Sequence, residues 1–465
     1  MEKVTKKEVL AGIPVLNFHA AGIDVGSMLM AVSYTDSSGN RCLFDTGGFT
    51  KDLNELVSVL KEEGITDVAM EATGVYWMSL HELLEDAGIN ITLINPGHYK
   101  NSSHQKTDIQ DCQWIHQYHS CGILRNSHIA KEGFRELRNY IHERNVVQTQ
   151  KAETLTRMQR LLTKMNIKIQ HVVSDIEGVG CMKILRAIAS GVTDPQALLA
   201  LIDTTKFKAS KETLFASLTG IYKKQFVELL RMKLVEYDFF VRQMHDYDKL
   251  IEGVLISIEE ISSKKVSVPE EETKKEETKK DEKKKVKKTK IPVRKNQYTF
   301  ESKGYLHRIL GVDLTKIDGF EEKGLLAIMS VTGTDMSKWV TVEHFVSWLG
   351  LNPRRCVSGG RLLGHEKKKV SNPATQAFRL SAQSLAQSKS PLGQLYRRLA
   401  VNHGSKTANK AVARKLAVLF YTLVKNQTEY DTTRIDQQTQ KQEERKLEKL
   451  KKMAEKMGYS ICKTA

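Results

Sequence analysis

Cysteine is scarce and scattered. Cys42, Cys112, Cys121, Cys181, Cys356 and Cys462 include no CxxC pair in 465 residues, which excludes a disulfide framework and fits a reducing cytoplasm. Long apolar runs are missing as well. The longest, Leu416–Val424, is about half the ~20 residues that span a bilayer, so no membrane role is expected. Lys3, Lys6 and Lys7 precede an apolar stretch, Val9–Leu16, but Glu2, Glu8 and the central Pro14 break the pattern of a signal peptide. Acids are in deficit: 72 Lys+Arg face 55 Asp+Glu, a formal charge of +17. A basic soluble chain of this kind points first to nucleic acid as its partner. What is present is 40% hydrophobic residues, enough to bury real cores and to exclude disorder throughout. The length is that of about two to four domains.

The strongest boundary is compositional. Lys264–Lys290 holds twelve lysines, seven acids and no aromatic residue, too little apolar surface to offset its ordering entropy, so it reads as a flexible linker. It carries +5 of the +17, leaving +12 for the rest of the chain. Ahead of it, residues 20–124 alternate strand and helix signals. Ala21–Val25, Leu29–Tyr34 and Arg41–Phe49 read as strands, the last two joined by the turn cluster Asp36–Asn40. Asp52–Glu63, with Leu53, Leu56, Val57 and Leu60, is helical. Asp67–Glu71 (strand), Tyr76–Asp86 (helix), Ile89–Ile94 (strand) and Asp108–Cys121 (helix) complete the order β-β-β-α-β-α-β-α, that of an RNase H-like α/β domain with a mixed sheet. Residues 130–261 show no convincing strand. Leu155, Met158, Leu162, Met165 and Ile169 form a heptad seam suited to a coiled-coil hairpin or a dimer, and Phe226–Ile261 is a second long helix that could return along the first. After the linker, Leu306–Val424 is mostly helical, broken by a Gly/Pro/Arg-rich loop from Gly350 to Gly364. The divisions expected are an N-terminal extension (1–19), the α/β domain (20–128), a helical coiled-coil region (129–261), the linker (262–298), a mostly α-helical C-terminal domain (299–430) and a charged helical tail (431–465).

Four acids stand where they could act together. Asp24 interrupts the apolar strand Ile23-Asp24-Val25, Glu71 ends the fourth strand, and Asp108 and Asp111 are three apart on one helical face. In an RNase H-like arrangement the first and fourth strands are neighbours and this helix packs across their ends, so the four converge. Clustered carboxylates need cations, and hard oxygen ligands suit two Mg²⁺ ions, with Mn²⁺ as substitute, for in-line phosphodiester chemistry. Asp108 alone reads equally as a helix N-cap. A competing set, Cys112, His116, His119 and Cys121, has spacing that could attract zinc, though its helical period favours ordinary packing.

The segment Asn352-Pro353-Arg354-Arg355-Cys356-Val357-Ser358-Gly359-Gly360-Arg361 joins glycines that permit close backbone approach with Arg354, Arg355 and Arg361, which can fork onto phosphates. No histidine stands beside Ser358 to activate it, so local chemistry alone favours a phosphate-binding loop over a nucleophile.

Taken in order, these segments resemble the DEDD transposases, insertion-sequence recombinases with an N-terminal RuvC-like domain and a C-terminal serine-bearing transposase domain. The resemblance rests on Gly22-Ile23-Asp24-Val25, Met70-Glu71-Ala72-Thr73-Gly74-Val75-Tyr76-Trp77, Asn95-Pro96, Lys106-Thr107-Asp108-Ile109-Gln110-Asp111, Ile176-Glu177-Gly178-Val179-Gly180, Trp348-Leu349-Gly350-Leu351-Asn352-Pro353 and Ser358-Gly359-Gly360-Arg361. It covers about 20–260 and 305–425. It implies that Asp24, Glu71, Asp108 and Asp111 are a catalytic metal-binding tetrad and that Ser358 is the nucleophile forming a phosphoserine with a DNA end; Lys106, Arg354, Arg355 and Arg361 are the expected nucleic-acid contacts. It further implies donor and target double-stranded DNA as partners, a non-coding bridge RNA as guide, and homodimers that pair into a tetramer. Departures include Ser27, Gln105, Cys112 and Gly359-Gly360; none removes an acid or the serine. The alternative is a RuvC-like nuclease or junction resolvase in which water attacks and Ser358 only grips phosphate.

Overall fold

A computed structural model describes residues 14–72, 74–95, 108–258, 296–352, 354–366 and 372–431, with isolated positions at 448, 451, 453–455 and 458. The chain divides into two compact units, Met1–Ile129 and Ala130–Ala465. Most of the lysine-rich linker and of the charged tail, and the first thirteen residues, lie outside the described residues. No helix among the described residues is long and apolar enough to cross a membrane.

The first unit is built on strands β1 (Ala20–Val25), β2 (Leu29–Thr35), β3 (Arg41–Gly47), β4 (Asp67–Glu71) and β5 (Asn90–Ile94), with helices α1 (Thr50–Glu62), α2 (Trp77–Asp86) and α3 (Asp108–Ser120). The sheet order is β3-β2-β1-β4-β5. The first three strands are antiparallel, and β4 and β5 run parallel to β1. That is the mixed sheet expected from the order of elements. The β2–β3 hairpin is set by Asp36, whose Oδ1 accepts from the amides of Ser38 (3.0 Å) and Asn40 (2.7 Å). The third strand stops at Gly47, short of the Phe49 expected from sequence, because Asp52 takes the Phe49 amide to start α1.

Alternation along the strands sorts the two faces. Ile23, Val32, Phe44 and Met70 lie in one cross-strand row and pack into a core with Leu53, Leu56 and Leu60 of α1 and Leu80 and Leu84 of α2. Burying each of these leucines contributes roughly 1.5–3 kcal/mol. The opposite face carries small residues, Gly22, Ser33 and Ala69, and α3 lies directly on it. A Cβ added to Gly22 would stand 2.2 Å from the His116 backbone nitrogen and 2.7 Å from the Cys112 carbonyl oxygen, so only glycine admits the helix this close.

The second unit is helical. Its frame is α4 (Glu132–Lys164), followed by α5 (Ile169–Val172), α6 (Val179–Ala189), α7 (Pro195–Ala200), α8 (Lys211–Leu218) and the long α9 (Lys224–Ser257). Then come α10 (Ser302–Leu310), α11 (Glu322–Thr332), α12 (Val342–Trp348), the hairpin β6 (Arg354–Ser358) and β7 (Arg361–Glu366), α13 (Pro373–Ser384), α14 (Pro391–His403) and α15 (Ser405–Asn426). As expected, α9 returns along α4: Arg144 meets Asp248 and Thr154 meets Glu236, pairs whose numbers run in opposite directions. The heptad seam is not one helix. Asn166, in the left-handed region at φ 55°, ends α4, so Ile169 falls on α5. Met158, Leu162, Met165 and Ile169 are all buried in a core shared with α6, α8 and α9.

At its other end the hairpin of long helices is built into a second core. Phe134, Leu137, Ile141, Ile251 and Leu255 pack with Leu306, Phe345, Phe378 and Phe420 of the C-terminal helices. Between the two cores sits Arg144, fully buried and paired with Asp248. Its guanidinium lies 4.4 Å from the centroid of the Tyr298 ring and donates to the Gln297 carbonyl at 2.9 Å, while Asp248 accepts from the Thr299 amide at 3.1 Å. The pair thereby pins the chain at Gln297–Thr299. Arg144→Ala is expected to cost about 3 kcal/mol in a denaturant titration, because it strands a buried carboxylate. The double change Arg144→Met/Asp248→Leu should recover most of that. A double variant as unstable as the single would show that packing, not uncompensated charge, sets the cost.

Candidate active site

The row beside the apolar one places the acids. Asp24 is registered against Ala31, and Ala31 against Asp45, so Asp24 and Asp45 share the face on which α3 lies. Glu71 follows Met70, which pairs with Ile23 on the parallel strand, and so ends β4 on that same face beside Asp24. Asp108 opens α3 in solvent, and Asp111 is one turn further on. The helix crosses β1 at Gly22, two residues before Asp24.

Exposure differs sharply within the set. Glu71 is 4% exposed, Asp24 and Asp111 are half-buried, and Asp108 is exposed. The Asp111 Oδ2 atom is buried with no hydrogen-bond partner among the described residues. A marker of the surrounding field is the Cys112 thiol, pushed up to about 12 by burial first, then by the negative charges of Asp24 and Asp45, with Asp111 adding to them. Among the described residues, no three His, Cys, Asp or Glu side chains stand close enough to hold a metal ion. Asp24, Asp45 and Glu71 therefore share one face of the sheet, with Asp111 on the helix that lies over it, and the acids form no closed cage among the described residues. Sequence reasoning does not single out Asp45; its signal is an acid on a strand two pairings across from Asp24.

Ser358 lies in the other unit. Residues 350–364, expected to be a loop, include a β-hairpin in which Ser358 and Arg361 are the closing pair. Gly359 and Gly360, at φ 54° and 76°, make the two-residue turn that only such residues form readily. Ser358 and Arg361 are exposed at its tip. Arg354 and Arg355 are on β6, while Lys106 lies outside the described residues.

A DEDD transposase model of the IS110 type matches residues 21–167, and the model of the transposase IS116/IS110/IS902 family matches residues 313–397. The first match spans Asp24, Glu71, Asp108 and Asp111, and the second spans Ser358. Both matched segments are those of the DEDD transposase family. No curated relative matches it.

The zinc-like set in this transposase is used for packing. His116 is buried, with Nδ1 2.9 Å from Ser33 Oγ and Nε2 3.3 Å from Thr35 Oγ1, so both ring nitrogens are engaged by β2. The Cys112 thiol donates to the Ile109 carbonyl at 3.1 Å. Burial, and after it the positive charge of Arg41, lowers the His116 pKa to about 3, so the ring folds neutral. In the unfolded chain it binds a proton below about pH 6.5. Stability conferred by the neutral ring is therefore present above that pH and lost as pH falls toward 3, by about 1.4 kcal/mol per pH unit. Denaturant titrations of the transposase between pH 6.5 and 4.5 should show this slope, and His116→Gln should flatten it; an unchanged slope would remove His116 as the cause.

Proposed function

We propose that this transposase moves its element by covalent serine catalysis, with Ser358 as nucleophile and Asp24, Glu71, Asp108 and Asp111 as the metal-holding tetrad. The observation that carries the reading is the position of Ser358: an exposed hydroxyl at the tip of a tight hairpin, within the residues matched to the transposase model. A DNA backbone can reach such a tip without displacing any core residue.

The donor set fits a hard divalent cation, Mg²⁺ or Mn²⁺, because it is all carboxylate oxygen and includes the orphaned Asp111 Oδ2. When bound, a pair of such ions supplies Lewis-acid stabilisation of the charge that grows on a reacting phosphate. The chain's own part is the covalent step. Ser358 Oγ attacks the scissile phosphorus, an Oγ–P bond forms, the P–O3′ bond breaks, and the serine proton is delivered to the departing 3′ oxygen. A second 3′ hydroxyl then attacks the phosphoserine, its proton returning to Ser358. Rejoining needs no outside energy because the phosphoester bond is never surrendered to water. Arg361, registered against Ser358 across the turn, grips the adjoining phosphate in this reading.

Guidance by a bridge RNA and assembly of dimers into a tetramer belong to the same reading. The test is a denaturing gel of the transposase with its co-transcribed flanking RNA, labelled element-junction DNA and Mg²⁺. A denaturation-resistant protein–DNA band, mapped to the Ser358 peptide and dependent on the RNA, is the expected result. Free 5′-phosphate ends without a band would establish the water-attacking nuclease instead.

A further inference from the structure

The positive charge of this chain is not spread over it. Residues 367–428 contain twelve Lys and Arg and no Asp or Glu. With the +5 of Lys264–Lys290, they account for the whole +17, so the remainder of the chain, 48 basic against 48 acidic residues, is neutral. From residue 372 onward the acid-free run folds into α13, α14 and α15.

Folding keeps these cations available. Arg379, Arg397, Arg398, Lys406 and Lys410 are exposed, and Arg414 is half-buried with its Nε unpartnered. None of the six is in an ion pair among the described residues, in contrast to the paired cations of α9 such as Arg231 with Glu228 and Lys249 with Asp246. Lys406, Lys410 and Arg414 recur every four residues along one stripe of α15. Arg379 lies beside that helix, since Asn409 Nδ2 donates to its carbonyl at 2.9 Å. A merely solvated charged face in this chain mixes signs; this one does not. Unrelieved positive charge is self-repulsive and is rewarded only when a polyanion takes it up.

The chain leading into the Ser358 hairpin is fastened to the same helices. Thr375 Oγ1 in the first turn of α13 donates to the Leu349 carbonyl, five residues before β6, at 2.8 Å.

We infer that α13–α15 form a docking surface for the phosphate backbone of double-stranded DNA, distinct from the arginines of the hairpin. The surface reads no sequence; it holds the duplex by charge while the hairpin addresses one phosphate. The inference rests on the chain acting on DNA, as proposed above, and its test separates the two. Binding of the full-length transposase to a 40-bp duplex of arbitrary sequence is followed by fluorescence anisotropy from 50 to 300 mM salt. The wild type is compared with Arg379→Gln/Arg398→Gln/Lys406→Gln/Lys410→Gln and with a control of equal charge change, Lys208→Gln/Lys211→Gln/Lys224→Gln/Lys249→Gln. Each phosphate that is no longer neutralised should flatten log K against log salt by about 0.9, so the first variant should drop by up to about 3.6 in slope with an unchanged melting temperature, and the control by almost nothing. Equal drops in both variants would reduce the effect to net charge and overturn the surface. Full binding by the first variant would place the duplex elsewhere. Loss of binding to a duplex RNA alone would overturn the assignment to DNA. A wild type that binds no duplex DNA would sink the recombinase reading itself, and this surface with it.

Discussion

Replacing Ser358 by alanine should abolish the covalent protein–DNA species and reduce strand transfer by ~10³-fold or more. The hydroxyl is the only group removed, from an exposed position at a hairpin tip, where substitutions ordinarily change stability by less than about 0.5 kcal/mol. Duplex binding should stay within about twofold of wild type, because phosphate contacts and not the hydroxyl supply most of the affinity. The measurement is a single-turnover assay on labelled junction DNA, read on native and denaturing gels from the same reaction. Persisting cleavage at near wild-type rate would demote Ser358 to a phosphate ligand and return the chemistry to water.

Asp111→Asn is expected to be nearly as severe for turnover and harmless to the fold. The substitution keeps the shape but removes the charge, and turns one acceptor into a donor at an atom that is buried without a partner among the described residues. On the proposed role of Asp111 as a cation ligand, the change should lower the rate by about 10³-fold, roughly 4 kcal/mol of transition-state stabilisation. The melting temperature in metal-free buffer should hold, since the substitution keeps the side chain's shape at a half-buried position. Titrating Mg²⁺ into wild type should raise its melting temperature, and that rise should be missing in the variant. A variant that melts lower and retains its Mg²⁺ response would make Asp111 a structural residue.

Much of the first unit is legible in sequence because its strands obey simple alternation. Ile23 and Val25 point to one core, and Asp24 between them has to lie on the other face. The order of elements then decides which strands become neighbours. The close seat of α3 is less visible: Gly22 reads as part of a motif, but the approach it permits involves backbone atoms almost a hundred residues away. The 354–358 strand escapes sequence reasoning because Arg-Arg-Cys-Val-Ser has no apolar face to bury; its pairing comes from the Gly-Gly turn, the one local sign that could reveal it. The seam through Leu155–Ile169 is correct as a set of core-facing residues and wrong as one helix, since period alone does not weigh the stop at Asn166. Arg144 leaves no trace in any local pattern. Its partner is 104 residues away, and a buried ion pair is defined by what surrounds it, not by its neighbours in sequence.

Ile258 and Tyr298 are packed into one and the same core. Whatever joins them is, in polymer terms, a closed ring rather than a hinge between separate bodies. Ring closure grows dearer only with the logarithm of contour length, about 0.6 kcal/mol for each doubling. The two described ends, Ile258 and Tyr298, are thus held together by the core itself, and the free energy of closing the chain between them depends only weakly on how many residues intervene.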